Sequence, residues 1–267
     1  MIYVKTDHGK VDIFSTVKNL TEDETTNQNL AKPLSKINYV ICMTARSGST
    51  MLCSLLKNTN LLGFPEEYVN PRGPMNLYLK KLPSENIIDY FDKLRRVQVS
   101  SNGVFGMKTN FPDFKPILDN SLVGTILNPV KFIYLDREDV LLQAISSYLA
   151  RKTGVWHQKH NQKQRKTEID IDSEINQDEI KKILKIMDKL TLEKLEWEKF
   201  FSLYSIEPLK IKYEEILKKS DQEIQKISEF LNISLSNKVD ISMAETKKMG
   251  NEINLRIAQL IREKHTL

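Results

Sequence analysis

An α/β fold with a parallel central sheet flanked by helices is what this chain of 267 residues predicts. Two observations lead there. Short apolar runs of strand character, Tyr39 to Met43, Val104 to Lys108 and Val130 to Leu135, alternate with segments of helical periodicity, and that alternation builds a parallel sheet covered on both faces. The first run ends in a loop of small residues, Thr44-Ala45-Arg46-Ser47-Gly48-Ser49-Thr50, that opens directly into a helical pattern. Ligands of such sheets sit beyond the carboxyl ends of the strands, where this loop falls.

Taken in order, residues 1 to 36 read as a polar extension in front of a single domain over residues 37 to 267. From Thr21 to Asn29 almost nothing is large and apolar, which predicts a mobile leading segment. The domain opens at about Ile37 with the first strand. The helix after it carries Met51, Leu52, Leu55 and Leu56 on one face and ends near Asn60, before Gly63. A turn at Gly63-Phe64-Pro65 delivers Glu66-Glu67-Tyr68, and Pro71-Arg72-Gly73-Pro74 breaks the chain again. Two helices follow, with Ser84 as the expected cap of a segment bearing Ile87, Ile88, Phe91 and Leu94. After the strands at 104–108 and 130–135, Glu138 to Lys152 forms a helix whose inner face is Val140, Leu141, Ala144, Ile145 and Tyr148.

From Thr153 to about Asp172 the chain is polar. Arg151, Lys152, Lys159, Lys163, Arg165 and Lys166 cluster there, as a flexible lid over an anionic site or as a solvated basic loop. A long helix over Gln177 to Leu203 follows, with Trp197, Phe200 and Phe201 as core or interface, core being the preferred reading. A short strand Leu209 to Tyr213, a helix over Asp221 to Leu231 and a last helix after Gly250 complete the chain.

A formal charge of +5 spread among alternating signs argues against a nucleic-acid scaffold and suits a small polyanionic ligand. No apolar stretch approaches the roughly 18 to 20 residues that span a bilayer. The segment Met1 to Lys10 has no signal-peptide core, so a cytoplasmic protein is the expectation. Cys42 and Cys53 are the only cysteines, expected reduced and buried. His157 and His160 lack acidic or cysteine neighbours at ligand spacing, so no metal is expected.

The loop at 44–50 fits an anion. Glycine and hydroxyl residues let backbone N–H groups converge, the positive end of the following helix reinforces them, and Arg46 adds a planar donor fork. A Walker A loop would need a lysine before Ser49 or Thr50, and none is present. The alternative is an ordinary capped helix with Ser47 or Ser49 as N-cap. A second basic position follows the strand at 130–135, where Arg137 precedes a helix carrying Ser146. The pair suits one phosphate if the arginine folds back along the helix, and the alternative is a surface pairing of Arg137 with Glu138 or Asp139.

Together these motifs resemble sulfotransferases that use 3′-phosphoadenosine 5′-phosphosulfate (PAPS), most closely the bacterial trehalose sulfotransferase-like family. The family's Gln/Pro-Arg-Ser-Gly-Ser-Thr is met by Ala45 to Thr50, with Ala45 as the departure, and its Gly-x-Pro-x-Glu by Gly63 to Glu67. Its Val-Trp-Gly-x-Lys resembles Val104 to Lys108. Its Arg-x-Asp-x-x-x-Gln-Ala-x-Ser matches Arg137, Asp139, Gln143, Ala144 and Ser146, and its Gln-Thr-x-x-Trp turn is echoed by Lys152 to Trp156. Beyond Trp156 the likeness thins. Ile211 to Leu217 is similar to the Tyr-Glu-Asp-Leu segment, whose tyrosine lies near the adenine. Lys247-Lys248-Met249-Gly250 only loosely resembles a phosphate contact of eukaryotic relatives.

The resemblance implies a P-loop-NTPase-like sulfotransferase fold and a set of roles. Arg46, Ser47, Gly48, Ser49 and Thr50 would hold the 5′-phosphosulfate, Arg137 and Ser146 the 3′-phosphate, and Tyr213 the adenine. Lys108 would face the sulfuryl group or pair with a nearby acid, and Glu67, preferred over Glu66 on spacing, would be the base, the alternative being that both are surface carboxylates of the loop. A free glutamate titrates near about 4.3, so an efficient base at neutrality needs burial. No metal is implied. The acceptor would be a hydroxyl or amine of a sugar or other small natural product, with Tyr68, Tyr78, Tyr90, Trp156 and His157 as candidate walls, and a homodimer is one option. Two other readings stay open: a nucleotide-dependent small-molecule kinase with a degenerate phosphate loop, and a non-catalytic adenine-nucleotide-binding protein.

Overall fold

The computed structural model describes residues 3–6, 9–12, 30–156, 175–235, 239–244 and 252–264. The segment Thr21 to Asn29, the basic stretch from His157 to Asp172 and the tract Lys247 to Gly250 lie outside the described residues. Within the N-terminal extension, β1 (Tyr3–Thr6) and β2 (Gly9–Asp12) pair antiparallel, a hairpin the sequence reading does not anticipate.

The main sheet holds β3 (Ile37–Met43), β4 (Val104–Thr109), β5 (Val130–Asp136) and β6 (Leu209–Lys212) in the order β4-β3-β5-β6, every neighbouring pair parallel. β4 is buried throughout and β3 from its second residue on, which is why Tyr39 to Met43 and Val104 to Met107 read as apolar runs. Successive residues of β3 serve opposite faces. Val40 and Cys42 join a core with Phe105, Phe114, Phe132 and Trp197, while Tyr39, Ile41 and Met43 join Leu52, Leu55, Ile133 and Ile211. Tyr39 crosses over Gly106, where a Cβ would lie 2.2 Å from its ring, and its hydroxyl donates to the Leu62 carbonyl at 2.7 Å. Only glycine fits that position of β4.

Nine helices surround the sheet among the described residues: α1 (Ser49–Asn58), α2 (Pro74–Lys81), α3 (Ile87–Val97), α4 (Phe111–Asp119), α5 (Val123–Ile126), α6 (Val140–Thr153), α7 (Gln177–Leu203), α8 (Tyr213–Leu231) and α9 (Glu252–Lys264). Trp197 on α7 is fully buried, donates its indole N–H to the Met43 carbonyl at 3.1 Å and packs edge-on against Phe111 with ring centroids 5.0 Å apart. Phe200 and Phe201 are buried beside it, so this face of α7 is core. An indole so placed contributes about 3 to 5 kcal/mol against truncation to alanine. A third cluster joins Ala144, Ile145 and Tyr148 of α6 to Ile180 and Ile183 of α7 and Ile257 of α9.

Local expectations are corrected at three places. The cap of α3 is Asn86, whose side chain accepts from the N–H groups of Ile88 and Asp89, while the Ser84 hydroxyl donates to the Leu82 carbonyl instead. The last strand stops at Lys212, and α8 begins at Tyr213 rather than near Asp221, continuing past a kink at Lys219. α4 and α5 were not expected; α4 carries Pro112 in its first turn and Pro116 within it, which mask its pattern, and Asn110 caps it. Both cysteines are free and buried as expected, and burial pushes the Cys53 thiol up to about 12.

The strand order fixes where a ligand can sit. From β3 the chain passes first to β4 on one side and then to β5 on the other, so the loops after β3 and β5 diverge at their carboxyl ends and leave a crevice. Those loops carry Arg46 and Arg137.

Candidate active site

The loop after β3 is held from behind. The buried Gln143 amide of α6 donates to the Thr44 hydroxyl and the Ala45 carbonyl, both at 2.7 Å. Arg46 and Gly48 take left-handed backbone, with φ of 64° and 86°. Gly48 is the N-cap of α1 and supplies no side-chain hydrogen bond, so neither Ser47 nor Ser49 caps the helix, contrary to the ordinary-helix alternative. The N–H groups of the first turn of α1 therefore have no side-chain acceptor, and no acidic residue sits in that turn. The buried Ser47 hydroxyl also has no partner among the described residues. A Cβ at Gly48 would lie 2.2 Å from the Tyr213 ring, so glycine is needed both for its backbone and for this contact.

Two guanidinium groups meet at the crevice. Arg46 donates from Nε to the Ser146 hydroxyl at 3.1 Å and from a terminal nitrogen to the Trp156 carbonyl. Arg137 donates to the Arg46 carbonyl at 3.1 Å, lies 5.0 Å from the centroid of the Tyr213 ring and leaves its buried Nε without a partner among the described residues. Neither forms a salt bridge among the described residues. The surface pairing of Arg137 does not occur, because Glu138 pairs with Lys212 at 2.6 Å while Asp139 caps α6 and pairs with Arg262 at 3.2 Å. Burial lowers the pKa of both arginines, and for Arg46 the nearby Arg137 adds to the shift. Ser146 thus stands beside Arg46, whereas the motif reading sets it with Arg137 on one phosphate.

Beside this wall stands a short relay. Lys108, at the carboxyl end of β4, is 3% exposed, donates to the Thr50 hydroxyl at 3.1 Å and pairs with Glu67 Oε1 at 3.3 Å. Burial alone would lower its pKa, but Cys53, Glu67 and Glu66 outweigh burial and raise it, so it stays charged. Glu67 accepts from the Asn70 amide at 2.7 Å on its other oxygen and lines the cavity. Glu66 turns away into an ion pair with Lys57.

The cavity these residues open onto has a volume of about 740 Å³, within the size range of small-molecule sites. Arg46, Gly48, Ser49, Thr50, Arg137, Ser146 and Tyr213 line it, as does Glu67; Ser47 and Lys108 stand behind the lining. Of the candidate acceptor walls, Trp156 lines it. Tyr68 and Tyr90 are fully buried core residues whose hydroxyls are held by the Phe64 and Tyr68 carbonyls, and Tyr78 packs edge-on against Tyr68. His157 lies outside the described residues.

One wall was missed entirely. Asp113 of α4 and Glu193 of α7 both line the cavity. Glu193 is 9% exposed, and its Oε1 accepts from the Phe111 N–H at 3.2 Å. Burial pushes its carboxyl up to about 7, the Phe111 N–H and Lys189 pulling the other way and Asp113 adding to the rise. Burial also raises Asp113, against the pull of Asn110. A signal was present: Ile183, Leu190, Glu193, Trp197 and Phe200 fall on the buried stripe of α7, where a carboxylate is out of place.

The comparisons with known proteins bear on this geometry. The model of the family described as Stf0 sulphotransferase matches residues 38–259. No curated protein matches the chain. Solved structures similar to it include the sulfotransferase domain from the Synechococcus PCC 7002 olefin synthase, at 14% identity and TM-score 0.45, covering 92% of this chain and 98% of that one. The sulfotransferase domain from the curacin biosynthetic pathway shows 16% identity and TM-score 0.47, covering 86% and 98%. Sulfotransferase STF9 from Mycobacterium avium shows 11% identity and TM-score 0.46, covering 97% and 82%.

Proposed function

Because the chain belongs to the Stf0 sulphotransferase family, we propose that it transfers a sulfuryl group from PAPS to a hydroxyl or amine of a small acceptor such as a sugar or natural product, in line and with Glu67 as base. The observation that carries the choice of donor is the pair of arginines, half-buried Arg46 and buried Arg137, brought together from two loops of the crevice without a carboxylate partner among the described residues. Two cations that repel one another across the crevice are relieved when an anion joins them, and a nucleotide with phosphate at both the 3′ and 5′ positions offers two.

The residues divide the work. The uncapped first turn of α1, with Ser47, Ser49, Thr50 and Arg46, holds the 5′-phosphosulfate; Arg137 holds the 3′-phosphate; and the Tyr213 ring supports Arg137 on one side and the loop at Gly48 on the other. PAPS supplies a sulfuryl group on a phosphate leaving group. As the acceptor oxygen or nitrogen bonds to sulfur, the bond from sulfur to the phosphate oxygen breaks and its electron pair stays on that phosphate, while the acceptor proton passes to Glu67. Once Glu67 is protonated, Lys108 has lost its carboxylate partner, and its charge faces Thr50 and the phosphate on which negative charge develops.

The test is calorimetric titration of the protein with 3′-phosphoadenosine 5′-phosphate, the product nucleotide, beside ATP and ADP. The proposal expects the 3′-phosphorylated nucleotide to bind at least about tenfold more tightly than either, a difference of about 1.4 kcal/mol. Equal or tighter binding of ATP would remove the basis for PAPS and favour the kinase or nucleotide-sensor reading.

A further inference from the structure

The wall formed by Glu193 and Asp113 has the opposite electrostatic defect from the arginine wall. Neither carboxyl forms a salt bridge among the described residues. Glu193 uses Oε1 on the Phe111 N–H, and its Oε2 makes no hydrogen bond among them. Asp113 takes the Asn110 amide on Oδ2 at 2.7 Å, and its Oδ1 likewise makes none. Burying a carboxylate without a counter-charge costs free energy that hydroxyl donors offset only in part, and a cation offsets in full.

We propose that this wall binds a protonated amine carried by the acceptor, so that the substrate class is an amino alcohol or amino sugar. The proposal rests on the sulfotransfer reading and deepens it: Glu67 addresses the group to be sulfated, and Glu193 with Asp113 addresses the ammonium group beside it.

The charged groups facing the pair come from every element around it. Lys189 lies on α7 and Arg72 in the turn before α2, both on the cavity lining and both exposed, so they are solvated cations of the rim; Glu67 lies in the loop between α1 and α2. Arg151 of α6, also on the cavity lining and exposed, is a further cation of the rim. The interior of this wall is therefore acidic and its rim basic. No third histidine, cysteine or carboxylate joins the pair at metal-ligand spacing among the described residues, which favours an ammonium over a metal ion as the cation.

The test compares two probes that differ only in the group at the central carbon, 2-amino-1,3-propanediol and glycerol. Their binding to the full-length protein saturated with 3′-phosphoadenosine 5′-phosphate is followed by saturation-transfer NMR at pH 6 and pH 8. The expected result at pH 8 is at least about tenfold tighter binding of the amine. The advantage shrinks at pH 6, where Glu193 becomes protonated, and falls below about threefold in Glu193→Gln, whose amide oxygen can still accept from Phe111. Asp113→Asn, made separately, reduces the advantage as well and guards against a folding defect in the first variant. Equal binding of the two probes, binding of neither, or an amine preference untouched in Glu193→Gln would overturn the proposal. Failure of the nucleotide itself to bind would instead count against the sulfotransfer reading, and the two probes are then compared on the nucleotide-free protein.

Discussion

The arginine wall of the cavity comes from two loops that each follow a strand directly, whereas the carboxyl wall comes from two helices, α4 and α7, whose contributing residues Asp113 and Glu193 lie far apart in the chain. Both walls hold charge that nothing in the described protein neutralises. They differ in how that charge is kept in place. Arg46 and Arg137 are fixed by hydrogen bonds to Ser146 and to the backbone of the neighbouring loop and by the Tyr213 ring, so their charge stays fixed and only a ligand can relieve it. A carboxyl has a second way out, which is to take up a proton, and Glu193 does so near about 7. One wall demands its ligand at every pH; the other demands it only when deprotonated.

Between the two walls, Glu67 is the residue whose loss separates chemistry from binding. Glu67→Gln keeps the shape and an acceptor oxygen for the Asn70 amide but removes the base. The expected outcome is a fall in kcat of about 10²- to 10⁴-fold, with affinity for 3′-phosphoadenosine 5′-phosphate within about threefold of wild type. Single-turnover sulfuryl transfer beside calorimetry checks it, and an unchanged kcat would give the base to another group.

The next effect is on stability and belongs to the carboxyl wall. Because the folded-state pKa of Glu193 is raised to about 7 from 4.5, the native protein binds more protons than the unfolded chain between those values, and stability falls as pH rises through that window. The penalty is complete above about 7 and amounts to no more than about 3 kcal/mol. Glu193→Gln should therefore melt higher than wild type at pH 8 and no higher at pH 4, measured by calorimetric scans of ligand-free protein. A lower melting temperature at pH 8 would mean that the carboxylate has a partner in the fold.

The smallest effect sharpens the arginine wall. Ser146→Ala removes the acceptor of the Arg46 Nε and leaves Arg137 in place, so affinity for 3′-phosphoadenosine 5′-phosphate should drop by about 3- to 10-fold, the size of one ordinary hydrogen bond. A loss equal to that of Arg137→Ala would return Ser146 to the 3′-phosphate itself.

How much the sequence disclosed follows the same division. Three strands of the main sheet were legible as apolar runs, β6 by the alternation of Leu209, Lys210, Ile211 and Lys212 at a sheet edge, and α1, α6 and α7 because each carries a long amphipathic period. The first half of α8 was hidden, since β6 passes into Tyr213 without a turn residue and Tyr213 itself has strand character. The arginine wall was legible because loop, cap and motif are contiguous in the chain. Asp113 and Glu193 were not, because each taken alone looks like one more solvated charge, and only the packing of α4 against α7 brings them to one cavity. Tyr68 and Tyr90 failed as acceptor walls for the converse reason: an aromatic residue near a motif is also what a core requires.

The claim that unites both walls is that their charge is held for a ligand rather than for the fold. It is tested most directly by calorimetric scans of wild type and Arg137→Met, each with and without 3′-phosphoadenosine 5′-phosphate. The account predicts that the ligand-free variant melts no lower than ligand-free wild type, since a buried unpaired cation has been replaced by an apolar side chain, and that the nucleotide raises the melting temperature of wild type alone. A variant that melts lower without ligand and still rises with the nucleotide would contradict it.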